Sequence, residues 1–239
     1  MLKRKDLLEI KSLSEDEILS ILHTAKDMKK KIDNTEFRSE DLKNKSVVTL
    51  FYENSTRTKM SFMLAADYLG AKPEDLGIAT SSVNKGESLI DTGVTLDQMG
   101  INAMIIRHSL TGAGHLLAKN VNACVINAGD GSNEHPTQAL LDMYSIMEEK
   151  GKMEGLNVTI IGDIASSRVA RSNVFGLTKL GANVTLAGPS TLVSKNMETL
   201  AKNVKVVNSI EEGIKNADII MGLRVQFERQ NKMPFPNTR

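Results

Sequence analysis

Three hydroxyls and a guanidinium stand in one unbroken run, Ser55-Thr56-Arg57-Thr58, between an apolar segment, Val47 to Phe51, and a helical pattern over residues 57–69. At a helix start the first backbone N–H groups have no intrahelical acceptor, and the positive end of the dipole favours an anion. Arginine adds a planar fork that matches phosphate oxygens. A lone Ser55 or Thr56 would read as a plain helix cap, with Arg57 solvated. Four such residues in sequence after a buried strand predict a cradle for a dianion. It is not a P-loop, since no Gly-x-x-x-x-Gly-Lys-Ser/Thr occurs.

The elements that must position this run alternate. Ser14-Glu15-Asp16-Glu17 supplies an N-cap with early acidic residues, and Ile18, Leu19, Ile21, Leu22, Ala25 and Met28 recur at helical spacing. Strands are then expected at Val47 to Phe51, Leu76 to Ala79, Ala103 to Ile106 and Ala123 to Ile126. A second series follows at Val158 to Ile161, Val184 to Ala187, Val204 to Val207 and Ile219 to Met221. Helical stretches at 57–69, 88–99, 111–118, 136–150, 167–179, 194–202 and 210–215 lie between them, with Gly70 and Gly181 closing two by C-capping. Strands separated by helices imply an α/β fold of parallel sheets covered on both faces. The charged, glycine-punctuated run Glu148 to Gly155 marks a boundary between two lobes, 1–150 and 151–239, joined by a helix over 135–150 with a cleft between them. Ligands in such sheets bind beyond the carboxyl ends of the strands, so the loops there are the ones that matter.

Thirty basic against twenty-nine acidic residues leave a formal charge of +1, which offers no basic field for a nucleic-acid backbone. Any anion site is local. Cys124, the single cysteine, lies in an apolar run and reads as a small core residue; there is no Cys/His cluster spaced for zinc. Met1-Leu2-Lys3-Arg4-Lys5-Asp6 meets charge too soon for a signal peptide, and no apolar stretch approaches the roughly 20 residues of a membrane span. A cytoplasmic protein with no membrane partner is expected. Gly162-Asp163 raises the alternative of a dinucleotide-binding lobe, but Gly-x-Gly-x-x-Gly is lacking.

In their order along the chain, the polar loops resemble those of the aspartate and ornithine carbamoyltransferase family. Ser55-Thr56-Arg57-Thr58 followed by Ser61-Phe62 resembles the family's carbamoyl-phosphate loop, with Met63 standing where many relatives have a glutamate. Ser81-Ser82-Val83-Asn84-Lys85-Gly86-Glu87-Ser88 resembles the mobile loop that places a serine and a lysine into the neighbouring subunit's site. Ile106-Arg107-His108-Ser109 and the run Gly129 to Gln138 look like the carbamoyl-binding segments. Gly162 to Ser172 and Leu223 to Arg229 resemble the amino-acid-binding loops.

The resemblance implies two lobes, the first binding carbamoyl phosphate and the second an amino acid. Ser55, Thr56, Arg57, Thr58 and Arg107 would hold the phosphate, with Lys85 and Ser81 arriving from an adjacent chain. His135 would donate to the carbamoyl oxygen while Gln138 takes the amide side. Thr58, Arg107 and His135, with Lys85, would form the catalytic set that stabilises the oxyanion. Arg168 and Arg224 suit the two carboxylates of aspartate, and Gln226, two residues after Arg224, faces the same side of an extended loop; Lys85 joins this set too. His108, Arg171, Arg229, Glu87 and Met63 read as structural. Phosphate is already a good leaving group and can take the amine proton, so neither cofactor nor metal is implied. The Lys85 loop, the two second-lobe arginines and Gly129-Asp130-Gly131 ahead of His135 favour L-aspartate over ornithine, hence N-carbamoyl-L-aspartate and pyrimidine biosynthesis. A homotrimer with shared sites is implied, with regulatory chains left open. The sequence ends at Phe235-Pro236-Asn237-Thr238-Arg239, ahead of the family's C-terminal His-Pro-Leu-Pro or similar loop and final helix. The second lobe is therefore expected to be incomplete, and an inactive fragment of the family is a third reading.

Overall fold

The computed structural model describes residues 4–35, 38–78 and 82–224. Two compact units emerge. One takes in the residues up to Glu9 and Leu19–Thr137, the other Ile10–Ile18 and the chain from Gln138 onward. The first helix, α1 (Glu15–Asp33), begins with a reciprocal cap: Ser14 N–H donates to Glu17 Oε2 at 2.9 Å and Glu17 N–H donates to Ser14 Oγ at 3.2 Å.

The first unit holds four parallel strands, β1 (Ser46–Phe51), β2 (Lys72–Leu76), β3 (Ala103–His108) and β4 (Cys124–Asp130), in the order β2-β1-β3-β4. Its helices are α2 (Thr56–Tyr68), α3 (Leu89–Gln98) and α4 (Ala113–Ala118). Alternate residues of β1 divide between two cores. Val48 and Leu50 pack with Met104, Ile106, Leu117 and Val125, while Val47 and Phe51 pack with Ala66, Ile105 and Ala128. Each fully buried aliphatic or aromatic side chain contributes about 1.5–3 kcal/mol. Helix α2 closes with Gly70 at φ +80, as the sequence predicts.

The second unit has β5 (Asn157–Ile161), β6 (Asn183–Ala187), β7 (Val204–Val207) and β8 (Ile219–Gly222), again all parallel, in the order β7-β6-β5-β8. The helix α5 (Pro136–Lys150) leads into it, and α6 (Arg168–Lys179) and α7 (Ile210–Ile214) flank it. The charged run Glu148 to Gly155 takes in the end of α5 and most of the connection to β5, with Gly151 at φ +74 and Gly155 at φ +75. No helix among the described residues is long and apolar enough to cross a membrane.

Three sequence expectations need correction. The second strand is Lys72–Leu76 rather than Leu76 to Ala79; it is a polar edge strand containing Pro73, so it carries none of the apolar signal of a central strand. Residues 194–202 form a 3-10 segment, Lys195–Leu200, with one buried side chain, Met197. Cys124 is only partly buried, and that burial raises its thiol pKa.

Candidate active site

Strand β1 delivers the chain into α2 through Tyr52 to Ser55. Ser55 takes the cap position with extended backbone, φ −160 and ψ 113, but its hydroxyl does not cap the helix, and no acidic residue occupies the first turn. Ser61 turns its hydroxyl onto the Arg57 and Thr58 carbonyls of its own helix, at 2.8 and 3.1 Å. Among the described residues, the side chains of Ser55, Thr56, Arg57 and Thr58 have no hydrogen-bond or ion-pair partner. An uncapped helix start ringed by unengaged hydroxyls and one guanidinium is a set of donors without an acceptor. Lys59 does not join it. Its ammonium lies 2.9 Å from Asp75, which also accepts from Thr49 Oγ1 at 2.7 Å. Burial works to raise the Asp75 carboxyl, but Thr49 and Lys59 outweigh it and hold the pKa below the usual range.

Arg107 comes from the neighbouring strand. It is the register partner of Phe51, and its carbonyl accepts from Tyr52 N–H at 2.8 Å, so the β1 and β3 loops leave the sheet together. Its Nε donates to Glu53 Oε2 at 3.2 Å, both side chains being largely buried. Glu53 is a residue that sequence reasoning missed. A carboxylate two positions ahead of a hydroxyl cluster was the available signal. His108 stacks its ring 4.6 Å from that of Tyr52, and its Nδ1 accepts from Leu110 N–H at 2.9 Å. Burial lowers its pKa against the pull of Glu53 and Asp130. The ring thus packs on Tyr52 and accepts a hydrogen bond from a backbone N–H.

The β4 loop is drawn in by one buried carboxylate. Asp130, 1 % exposed, accepts from Gly112 N–H at 2.7 Å, Asn127 Nδ2 at 2.8 Å and Glu134 N–H at 3.2 Å. It therefore binds the loop after β3 to the loop after β4. Gly131 sits at φ +48, where a Cβ would lie 2.5 Å from Thr111 Oγ1, so only glycine admits this approach. Buried His135 follows, with Nδ1 3.5 Å from Thr137 Oγ1. The carboxyl ends of β1, β3 and β4 thus gather Ser55 to Thr58, Arg107 and His135 on three neighbouring loops. Lys85 closes the 3-10 turn Ser82–Lys85 after β2; it is exposed and makes no hydrogen bond or ion pair among the described residues. Ser81 lies outside the described residues.

In the second unit the loops after β5 and β8 are adjacent. Leu223 N–H donates to Ile161 O at 2.7 Å, and Gly162, at φ +126, leaves room for the Leu223 carbonyl where a Cβ would stand 2.3 Å from it. Arg168 begins α6 and is 3 % exposed, so it is not a helix-surface charge; Ser167 caps this helix, accepting from Ala170 N–H at 3.1 Å. Arg224 is exposed beyond β8. Gln226 lies outside the described residues. Gln138, in the first turn of α5, donates from Nε2 to Asp142 Oδ1 at 2.9 Å.

Known proteins share this organisation. Residues 5–148 match the family described as aspartate/ornithine carbamoyltransferase, carbamoyl-P binding domain, and residues 154–237 match its Asp/Orn binding domain. The aspartate carbamoyltransferase catalytic subunit of Acetivibrio thermocellus is 56% identical over 239 residues, covering 100% of this chain and 76% of the relative. That of Caldanaerobacter subterraneus subsp. tengcongensis is 56% identical over 234 residues, covering 98% and 76%. Aspartate transcarbamoylase from Trypanosoma cruzi, solved with carbamoyl phosphate and aspartate, superposes with a TM-score of 0.87 at 30% identity, over 96% of this chain and 75% of that one. The catalytic subunit of M. jannaschii aspartate transcarbamoylase gives 0.85 at 35% identity, over 98% and 77%.

Proposed function

The chain belongs to the aspartate/ornithine carbamoyltransferase family, and on that premise we propose that it transfers the carbamoyl group of carbamoyl phosphate to the amine of L-aspartate, giving N-carbamoyl-L-aspartate and phosphate for pyrimidine biosynthesis. The observation that carries the chemistry is the uncapped start of α2, where four unengaged side chains face no internal acceptor beside Arg107.

Ser55, Thr56, Arg57, Thr58 and Arg107 hold the phosphate. The carbonyl oxygen takes hydrogen bonds from Thr58, Arg107 and His135, and the carbamoyl amide donates to Gln138. Arg168, Arg224 and Gln226 bind the aspartate carboxylates. The neutral amine attacks the carbonyl carbon, charge builds on the carbonyl oxygen, and preorganised donors stabilise it. The carbon–oxygen bond to phosphate then breaks, and the departing phosphate takes the amine proton. The domain carrying carbamoyl phosphate spans 1–150 with the helix 135–150, and the aspartate-binding domain spans 151–239.

The working assembly is a cytoplasmic homotrimer with shared sites, in which Lys85 and Ser81 enter a neighbouring subunit's site; association with regulatory chains is compatible with it. Exposed Lys85, which makes no hydrogen bond or ion pair among the described residues, supports this. So do Met60 and Leu64, one turn apart on α2, which are 48 % and 45 % exposed. The test is phosphate-dependent formation of carbamoylaspartate, measured for this chain and for one extended to the length of its relatives, with ornithine as control. Carbamoylation of aspartate alone is expected. Turnover of ornithine but not aspartate overturns the substrate, and activity only in the extended chain assigns the last catalytic contacts to the added segment.

A further inference from the structure

Asp142 has no place in the reaction described so far, yet it is a largely buried carboxylate with no cation among its hydrogen-bond partners. It lies one helical turn after Gln138 on α5 and accepts from Gln138 Nε2 at 2.9 Å through one oxygen. Its other oxygen accepts from Asn173 Nδ2, on α6, at 2.7 Å. Asn173 is wholly buried, and the same Nδ2 donates to the Val169 carbonyl at 3.1 Å, next to Arg168.

The chemistry of the three side chains leaves one arrangement. An ionised carboxylate only accepts, so both amides must turn their nitrogens towards it. For Gln138 this leaves Oε1, which has no partner among the described residues, as an acceptor. For Asn173 it leaves Oδ1 buried without a hydrogen bond. Stability alone would not retain an unsatisfied buried carbonyl oxygen; each such atom in a native structure calls for a reason.

We infer that Asp142 is a positioning residue: it holds Gln138 with its nitrogen turned inward, so that Oε1 is kept as an acceptor for the carbamoyl NH2, and Asn173 ties that setting to the helix that begins with Arg168. The inference rests on the proposed reading of Gln138 as the residue that recognises the carbamoyl amide. Asp142→Asn keeps the shape but places an amide NH2 against one of two donors. Relief comes when Gln138 turns over, offering the ligand a second donor where an acceptor was needed.

Calorimetry of the chain with two probes separates these roles. Phosphonoacetamide carries a phosphonate and a carbamoyl-like amide, whereas inorganic phosphate carries only the anion. Asp142→Asn is expected to weaken phosphonoacetamide about tenfold, the size of one lost or reversed hydrogen bond, and to leave inorganic phosphate within about twofold. Gln138→Ala should give a similar loss, and the double variant should add nothing further, because Asp142 acts through Gln138. Parallel loss of both probes, or additive losses, overturns the inference while the functional reading stands. If Gln138→Ala leaves phosphonoacetamide binding untouched, the reading of Gln138 itself fails. Should Asp142→Asn not fold, Asn173→Ala serves instead, with about a threefold loss for phosphonoacetamide alone; no loss, or an equal loss for phosphate, overturns the tie to α6.

Discussion

Helices α2 and α6 each follow the strand that comes first in the sequence of its parallel sheet, β1 and β5, both central, and each begins at a serine, yet they are opposite kinds of helix start. Ser55 leaves α2 uncapped, whereas Ser167 caps α6 by accepting from Ala170 N–H at 3.1 Å. Of α2 only Ala66 is buried, against eight of the twelve residues of α6. An uncapped and shallowly packed helix start presents backbone N–H groups, hydroxyls and Arg57 to a ligand, which suits a compact dianion approached from several sides. A capped and buried start has already given one of its free backbone donors to the cap, so what it can chiefly lend a ligand is a side chain held in place, here Arg168. Such a fork suits a planar carboxylate. The difference lies in where the donors come from, and under the proposed function it would separate phosphate recognition from carboxylate recognition.

The largest effect that would test the open site is at Arg107. Arg107→Ala is expected to lower kcat by about 10²–10³-fold, the range for losing one donor to a developing oxyanion. Lysine at this position should not rescue, because Glu53 and a phosphate together require the two-sided guanidinium. Steady-state kinetics with aspartate reads this out, and a loss below about tenfold would remove Arg107 from the catalytic set. Next in size is Gly162→Ala in the closed site. A Cβ there meets the Leu223 carbonyl at 2.3 Å in a backbone conformation of φ +126. The expected cost is about 2–3 kcal/mol in a denaturant titration. Aspartate binding should weaken as the loops after β5 and β8 part, with inorganic phosphate binding unchanged. Loss of phosphate binding instead would show that the two sites are not separable.

The two serines sharpen the comparison further. Ser167→Ala should destabilise by about 1 kcal/mol, the usual value of a lost N-cap. Ser55→Ala, with no cap to lose, should stay within about 0.5 kcal/mol of the unmodified chain yet weaken inorganic phosphate several-fold. Thermal unfolding and calorimetry on the pair decide it. Equal stability losses would mean that Ser55 caps α2 in solution, and the contrast between the helices would fall.

How much of this was legible in the sequence follows from what each residue has to advertise. The hydroxyl-guanidinium run shortly follows apolar β1 and Arg107 lies at the end of apolar β3, so both strand and loop announce themselves, and seven of the eight expected strands fall at the expected segments. Strand β2 is the exception because Lys72-Pro73-Glu74-Asp75 lies on a sheet edge and buries little. Glu53, Asp130 and Asp142 were passed over for a different reason. An acidic residue in a charged sequence reads as solvated, and only the fold reveals that Asp130 gathers two loops or that Glu53 faces Arg107. Arg168 shows the same limit from the other side, since its type suggested a ligand contact and only the fold reveals that it is buried at the start of α6.

The smallest effect concerns the ionisation of Asp142, and it asks what the closed site costs to maintain. Burial raises this carboxyl above its ordinary value, against the lowering influence of Asn173 and Gln138. Between the ordinary aspartate value of about 3.9 and the raised native one, the folded chain binds more protons than the unfolded chain, so stability falls as pH rises through that window. The contribution is fully present below the unfolded pKa and is lost once the pH passes the folded one. Asp142→Asn has no such term. The difference in Tm between unmodified chain and variant should therefore shift in favour of the unmodified chain as the pH is lowered from neutrality towards 4, and level off above the native pKa. Both proteins share every other titrating group, so the trend isolates this one carboxyl. A difference that is flat with pH, or that moves the other way, would mean that Asn173 and Gln138 compensate the carboxylate fully. The closed site would then differ from the open one in geometry alone, with no charge held against its own stability.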